Sequence, residues 1–352
     1  MFNTIAGYGP RAELSVAVVE GEGSVDGLIG SKILGDYPIN RRNAHYVKAT
    51  LANSLALRSF ANAKYVRAPG TKFERVSAKL DDGTLTVTLR GVEMVVAFEH
   101  KLDYAGYFDL LNFWSKRIGE GMARTKEKLI AAAIFNTTNF GSAVNSTVAY
   151  TAANLYNNGA TGISFISDVI AATRRLRAAG EAPGYVAVMS GPVFERIRQA
   201  FTVQGYVTGT LRGTQEATES MIKNALAEFG ITDILVADSY ENTAAEGATP
   251  VLSQIWSNAY IWVGKPGSTG GSSTEGATVP SITGVGANVY WEGYDDGGIP
   301  NADSDGSTYE GGNYVEVYPS KEIEAEVIRA KNSSTPTITN PRGGTLVATQ
   351  YA

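Results

Sequence analysis

The chain has 352 residues, a formal net charge of −5 at pH 7, no cysteine and two histidines. Without cysteine there is no disulfide framework, thiol nucleophile or thiolate metal site, and His45 and His100 are too few for a multi-histidine site. The negative net charge argues against a general nucleic-acid-binding protein, while few charged residues (18%) and abundant glycine (39 residues) favour a protein that works by contact.

No apolar run approaches the ~20 residues of a membrane-spanning helix. The N-terminus also lacks a basic start followed by a long apolar stretch. We therefore expect neither membrane insertion nor secretion through a signal peptide.

Residues 1–46 predict an irregular arm, because glycines interrupt every short apolar cluster. Such a segment has little chance of burying its own core, so we expect it to lie across another surface. Residues 47–59 predict a short helix.

Residues 72–98 predict a long two-stranded hairpin. The segment TLTVTLRGVEMVVAFEH alternates apolar and polar residues with period two, which indicates a strand. A weaker strand over 72–80 precedes it, and Asp82-Gly83 is a hairpin-turn signal between the two. Gly91 is a candidate bulge. An isolated hairpin is only marginally stable, so this one should rest on another surface.

Residues 104–136 predict one long helix. Apolar residues recur at helical spacing, Asp103 suits the N-cap, and Gly119 and Gly121 are candidate bend positions. The predicted apolar stripe is Tyr107, Leu111, Trp114, Ile118, Met122, Thr125, Leu129 and Ala133. A helix of about 30 residues would be about 45 Å long, and its stripe should pack on a sheet.

Residues 164–240 predict an α/β unit with helices packed on a sheet. A helix capped by Ser164 precedes a buried-type strand at 185–190, and Pro192 starts a second helix. A third helix over 217–229 ends at Gly230 and leads to a strand at 231–237.

The rest of the chain predicts strands around a flexible loop. Strands are expected at 253–263, a Gly-, Ser- and Thr-rich loop at 264–286, and a strand pair over 314–331 that turns at Pro319-Ser320. The segment GGTLVATQYA at the C-terminus predicts a last strand.

Charge is unevenly distributed along the chain. Residues 285–326 contain ten acidic side chains and one lysine, whereas residues 60–80 contain five basic side chains and one glutamate. The two segments are either solvated surfaces or complementary patches on neighbouring subunits, which would steer docking. The candidate intersubunit contacts are Lys64, Arg67, Lys72, Arg75, Lys79, Asp295, Asp296, Glu322, Glu324 and Glu326.

No motif in the sequence indicates catalysis or a cofactor. Ser190 lies between a predicted strand and a helix, but the nucleophile elbow requires glycine where Val188 stands, so Ser190 is interpreted as a helix cap. Asp303, Asp305 and Glu310 are weak metal candidates, because the string NADSDGSTYEGG matches only the first half of a calcium loop and ends on Gly312. An acidic surface loop is the alternative, and we predict that the protein is not an enzyme and binds no cofactor.

The order of these elements resembles the major capsid protein of tailed bacteriophages, the Hong Kong 97-type fold. The quoted hairpin strand, the helix YFDLLNFWSKRIGEGMARTKEKLIAAAIFN, the run APGYVAVMSGPVFERIRQ and the strands YVEVYPSKEIEAEVIRAK follow that order. The resemblance implies an α+β chain whose A-domain has a central sheet flanked by helices. The implied divisions are an N-terminal arm (1–46), an E-loop hairpin with its base (47–102), a P-domain spine helix (103–159), an A-domain (160–312) with a flexible insertion (264–312), and P-domain and C-terminal strands (313–352).

The resemblance also implies a function. The chain would self-assemble, as pentamers and hexamers, into the icosahedral virion shell around double-stranded DNA, after synthesis in the bacterial host cytoplasm. Scaffolding and portal proteins, a decoration protein and non-specifically contacted DNA are the implied partners. A long charged segment that could act as a fused scaffold is not seen at the start, so either the scaffold is a separate protein, or such a segment was removed or never cloned. The alternatives are an encapsulin-type cellular shell of the same fold, a tail or decoration protein, and an enzyme.

Overall fold

The computed structural model describes residues 27–48, 66–67, 69, 72–73, 81–105, 109–157, 161–208, 217–245, 247–267, 284–291 and 313–351. The helices in this part of the chain are α1 Gly30–Ile33, α2 Phe98–Tyr104, α3 Leu110–Ile134, α4 Thr137–Phe140, α5 Phe165–Ala178, α6 Gly191–Gln199, α7 Phe201–Thr208 and α8 Glu219–Ala227.

The strands are β1 Asp36–Ile39, β2 Asn43–Lys48, β3 Asp81–Thr86, β4 Arg90–Ala97, β5 Val144–Asn145, β6 Tyr185–Ser190, β7 Ile231–Ala237, β8 Tyr240–Asn242, β9 Leu252–Gln254, β10 Tyr260–Gly264, β11 Gly286–Trp291, β12 Asn313–Ser320, β13 Ala325–Asn332, β14 Ser334–Ile338 and β15 Gly344–Ala348.

A five-stranded sheet with the order β5-β15-β10-β6-β7 forms the centre of the molecule. Its strand β6 is buried at every residue, as the apolar run at 185–190 predicts. Tyr185, Ala187 and Met189 of β6 pack in the same core cluster as α5 and α6, whereas Val186 and Val188 pack with residues of α3. Helices therefore cover both faces of this sheet, which explains why β6 lacks polar alternation.

The long helix α3 connects this central layer to a second sheet with the order β12-β13-β4. Leu110, Leu111 and Met122 in its first half pack against Val96 and Ile328 of that sheet. Ile130, Ala131 and Ile134 in its second half pack against residues of the central sheet. The same helix thus fixes the position of one sheet relative to the other.

The helix starts later than predicted, and its buried stripe follows the prediction in the first half but differs from it in the second half. Asp109, not Asp103, is its N-cap and accepts hydrogen bonds from the backbone N–H groups of Leu111 and Asn112. Its 25 residues make a helix about 38 Å long. Thr125 of the predicted stripe is exposed, whereas Glu127 is buried, because the stripe drifts around the helix where α3 passes from one sheet to the other.

The segment 27–39 belongs to the core of this chain and does not have the character of an arm. Ile33 and Leu34 are completely buried, and β1 pairs in parallel with β11 in the sheet β1-β11-β14. The prediction of an irregular arm through residue 46 was therefore wrong for this part. The run Gly30–Ile33 was too short to show helical periodicity, and β1 obtains its pairing from β11, about 250 residues later in the chain.

The predicted hairpin turn at Asp82-Gly83 is wrong, and residues 74–80 of the predicted first strand lie outside the described residues. Strand β3 pairs with β2, and β4 pairs with β13, so the two halves of the alternating run belong to different sheets. Asp82 and Gly83 lie inside β3, where a side chain on Gly83 would collide with the ring of Tyr46. Gly91 pairs in continuous register and forms no bulge. Residues 49–59 of the predicted short helix lie outside the described residues.

The turn predicted at Pro319-Ser320 forms directly after those two residues. Both residues belong to β12, where Pro319 pairs with Glu326, and the turn is formed by residues 321–324. β12 is an edge strand, as are β1 with Pro38 and β14 with Pro336. Proline is tolerated on an edge because its missing N–H points away from the sheet.

Strands β11 and β14 were not predicted from the sequence.

The remaining α/β predictions are confirmed. Helices α5, α6 and α8, the strands β6 and β7, and the C-terminal strand β15 all form where the sequence places them. Ser190 occupies the N-cap position of α6, although its hydroxyl donates to Asn258 Oδ1 (2.6 Å) and does not cap the helix.

Candidate assembly surfaces

An exposed apolar surface lies on the sheet β12-β13-β4 and the adjoining helix α2. Val95 of β4, Leu102 of α2 and Ile323 of the β12–β13 turn are each more than half exposed. The turn adjoins the start of α2, since the N–H of Phe98 donates to the carbonyl of Glu324 (3.0 Å). We call Val95, Leu102 and Ile323 the peripheral patch. Exposed apolar side chains on adjoining elements are a feature of contact surfaces.

Two of the predicted acidic contact residues lie beside the peripheral patch. Glu322 and Glu324 are exposed in the β12–β13 turn. Glu324 adopts a positive φ of 46°, a backbone conformation that a non-glycine residue seldom takes. The turn therefore presents negative charge next to apolar surface.

Glu326, the third predicted contact in this region, is placed differently. It is 7% exposed and pairs with Lys101 Nζ at 2.7 Å. Its inward position follows from strand alternation, because Ile328 and Ala330 on the same face pack toward α3. Glu326 is thus engaged within its own chain, and Glu322 and Glu324 are the acidic candidates that remain accessible in this region.

The basic segment is described only at a few positions. Val66 and Phe73 are at least three-quarters exposed, and the guanidinium of Arg67 lies 4.2 Å from the centre of the Phe73 ring. Lys72 is exposed beside them. These residues combine positive charge with exposed apolar surface, the counterpart of the acidic turn and the peripheral patch.

The other predicted site residues lie outside the described residues. These are Lys64, Arg75, Lys79, Asp295 and Asp296 among the contacts, and Asp303, Asp305 and Glu310 among the metal candidates. The part of the chain that the structure describes contains no group of three or more side chains able to hold a metal ion. Within that part, no helix is both long and apolar enough to cross a bilayer.

Solved structures with the same fold are phage-related. The structure matches a phage-related protein from Bordetella bronchiseptica RB50 with a TM-score of 0.63, 16% identity and coverage of 98% of both chains. It matches the capsid of the cyanophage P-SCSP1u with a TM-score of 0.52 and 10% identity, over 90% of this chain and 86% of that one. For the capsid of a native GTA particle the TM-score is 0.51 and the identity 12%, over 99% and 93% of the two chains. No protein-family model and no curated protein sequence matches the chain.

The chain has the Hong Kong 97-type capsid fold. The sequence-based prediction of this α+β fold is confirmed, because the likeness extends over nearly the full length of the chain. At identities of 10–16% the likeness concerns the fold and does not extend to particular residues.

A buried polar cluster inside this Hong Kong 97-type chain escaped sequence reading. Asp168 Oδ2 accepts hydrogen bonds from the hydroxyls of Tyr150 and Ser164, both at 2.9 Å, and Ser146 Oγ lies 3.0 Å from Ser164 Oγ. Burial raises the pKa of Asp168, although hydrogen bonds from Ser146, Tyr150 and Ser164 lower it in part. Burial, and next the charge of Asp168, raise the pKa of Tyr150 well above its usual range. These hydrogen bonds link the segment that follows β5 to the start of α5.

Glu127 is the second buried polar group that sequence reading missed. It lies on the inward face of α3, 3% exposed, and accepts three hydrogen bonds from N–H donors. The only signal in the sequence is its spacing: Ala123, Glu127, Ile130 and Ile134 all lie on the buried face. An acid in such a stripe requires buried donors, because an unpaired buried charge is costly.

A cleft of about 370 Å³ lies between α7 and α8. Tyr206 and Met221, both more than 40% exposed, line it together with Asn224 and Glu228. The cleft is open, and Glu228 is the acidic side chain among the described residues that line it.

Proposed function

We propose that this chain is the major capsid protein of a tailed phage, which assembles into the icosahedral shell around double-stranded DNA. The observation that supports this most strongly is the likeness to capsid structures over nearly the whole chain. In this role the protein acts as a structural subunit and not as an enzyme. Its working location is the virion, after synthesis in the host cytoplasm, and scaffolding, portal and decoration proteins are its further partners.

We propose the domain divisions inferred from the sequence, with one change. The arm (1–46) is shortened to the residues before Gly27, because residues 27–39 pack in the core of the chain. The E-loop with its base (47–102), spine region (103–159), A-domain (160–312) and C-terminal strands (313–352) keep their bounds. The spine helix proper is α3.

Contact between subunits is proposed to pair the basic segment of one copy with the acidic turn of the next. Arg67, Lys72 and Phe73 supply positive charge and an exposed ring, while Glu322 and Glu324 supply negative charge beside the peripheral patch. Complementary charge steers docking, and burial of the apolar side chains stabilises the docked state. Because the two surfaces differ, the contact is heterologous, and its repetition generates a ring when the rotation between neighbouring copies closes.

Electron microscopy of the purified protein, with size-exclusion chromatography, tests the proposal. Polyhedral shells or uniform pentamers and hexamers are the expected result. A protein that stays monomeric even with its scaffold partner would contradict the shell function. Shells that hold a protein cargo and no DNA in infected or induced cells would support the cellular-shell alternative instead.

A charge swap tests the contact itself. The double variant Arg67→Glu and Lys72→Glu should fold normally and lose shell assembly, because like charges would then meet at the contact. Adding Glu322→Lys and Glu324→Lys should restore part of the assembly. If the first variant forms shells in normal yield, these residues do not form the contact.

A further inference from the structure

Glu127 is a buried carboxylate that has no cationic partner among the described residues. The neighbouring side chains of α3 point elsewhere: Lys126 pairs with Asp36 at 2.6 Å and Lys128 with Glu241 at 2.7 Å. Glu127 forms no ion pair with any residue in the described ranges. Its carboxylate must therefore be held by hydrogen-bond donors, since burial removes it from water.

Three donors converge on this carboxylate from two segments far apart in the chain. The backbone N–H of Ile29 and the indole N–H of Trp256 donate to Oε1 at 2.9 and 2.7 Å. The backbone N–H of Gly30 donates to Oε2 at 2.8 Å. Glu127 consequently joins the N-terminal segment, the long helix and the loop between β9 and β10 at a single side chain.

The surroundings leave little freedom for another arrangement. A Cβ atom on Gly30 would lie 2.6 Å from Glu127 Oε2, so a side chain there would force the carboxylate to shift away from its donors. Ile33 and Leu34 are completely buried one turn later, and Asp36 is held by Lys126. The hydrogen bonds and the apolar contacts thus hold the same segment on the same face of α3.

We propose that Glu127 is a junction: its hydrogen bonds couple residues 27–36, the helix α3 and the Trp256 loop, so that these segments unfold and refold locally as one cooperative unit. In an assembled shell, a mechanical force applied to the chain before Gly27 would be transmitted through this carboxylate to the helix α3. That mechanical role rests on the proposed shell function, whereas the cooperative unit is a property of the single subunit.

Hydrogen exchange on the unassembled subunit tests the junction in Glu127→Gln. The amide of glutamine retains one acceptor oxygen and turns a donor toward Gly30, so at least one of the three bonds is lost. The amides of Lys32 and Leu34, which donate to Ile29 and Gly30 in α1, should exchange about tenfold faster or more, since a hydrogen bond to a charged group contributes on that order. Glu120→Gln, the same change on the same helix but at a surface ion pair with Arg117, should leave their exchange unchanged.

Trp256→Phe supplies a milder second variant if Glu127→Gln does not fold. It removes one donor, and the exchange of Lys32 and Leu34 should again accelerate although Trp256 has no hydrogen bond to that segment. In the double variant the two effects should be less than additive, because both changes act on the hydrogen bonds of the same side chain. Unchanged exchange in both single variants, or strictly additive effects, would overturn the junction. A wild-type chain that forms no shells would overturn the proposed function and leave this result untouched.

Discussion

At the scale of single residues, the buried Asp168 and the half-exposed Asp233 have opposite responses to pH. Asp168 has its pKa raised by burial, whereas Asp233 has its pKa lowered, first by the hydrogen bond from Lys223 at 2.6 Å. A raised carboxyl pKa means that the folded state holds its proton more tightly than the unfolded chain does. Stability from this source falls as the pH rises between the two pKa values.

We expect Asp168→Asn to change how stability depends on pH. The unfolded carboxyl titrates near pH 4, and the folded one titrates higher, so wild type should lose stability relative to the variant as the pH rises above about 4. Denaturant unfolding at several pH values between about 4 and 7 measures this, with a limiting slope of about 1.4 kcal/mol per pH unit.

Asp233→Asn is the matched control with the opposite sign. Its carboxylate contributes stability above the unfolded pKa, and wild type should lose that contribution as the pH falls. Identical slopes for the two variants would show that the buried cluster around Asp168 does not set its pKa.

Two glycines of the described chain should respond in opposite ways to alanine. Gly30→Ala places a Cβ against Glu127 Oε2 and should destabilise the protein by about 1–3 kcal/mol. Gly121→Ala, on the exposed face of α3 with nothing within 4 Å of the new Cβ, should stabilise it by about 0.5–1 kcal/mol. Thermal and denaturant unfolding compare the two, and a stable Gly30→Ala protein would contradict the close packing at Glu127.

At the scale of elements, the two faces of the sheet β12-β13-β4 should separate folding from assembly. Ile328→Ala removes a fully buried side chain facing α3 and should cost about 2–5 kcal/mol of stability. Ile323→Ala, in the exposed turn, should change stability by no more than about 0.5 kcal/mol and reduce assembly. Unfolding curves and particle yield measure both, and an Ile323→Ala protein with full particle yield would exclude Ile323 from the contact.

Sequence reading succeeded where an element carries its own signal. The apolar run of β6 and the first-turn proline of α6 identify those elements without reference to the rest of the chain. Pairing carries no such local signal. Leu85 of β3 packs with Val289 and Met94 of β4 packs with Ile328, each more than 200 residues later, while β3 itself pairs with the earlier strand β2.

The strands and site residues that were missed have one cause in common: their role depends on contacts that exist only in the folded chain. Gly286 of β11 is required because a Cβ there would collide with the carbonyl of Thr337, yet a glycine in the sequence indicates a loop. Proline is typical of a turn, and only the sheet order shows that Pro319 lies in an edge strand, where proline is tolerated. Glutamate side chains are usually exposed to solvent. Glu127 can be buried because the N–H groups of Ile29, Gly30 and Trp256 donate hydrogen bonds to its carboxylate.

At the scale of the whole molecule, assembly through opposed charges should depend on salt. Raising the ionic strength from about 0.1 M to about 1 M shortens the Debye length from about 10 Å to about 3 Å. We expect the initial assembly rate of wild type, followed by light scattering, to fall over this range. The Arg67→Glu and Lys72→Glu variant should show a weaker or reversed dependence, and a salt-independent wild type would argue against steering by charge.

The prolines of the edge strands have a consequence for how copies can join. Pro38, Pro319 and Pro336 each remove one backbone N–H donor from an edge strand. These edges are therefore poor templates for adding a strand from another molecule. Strand addition has no natural end and leads to fibres, whereas contact between side-chain surfaces of fixed angle can close on itself. In the shell proposed above, these prolines would therefore disfavour open-ended growth by strand addition.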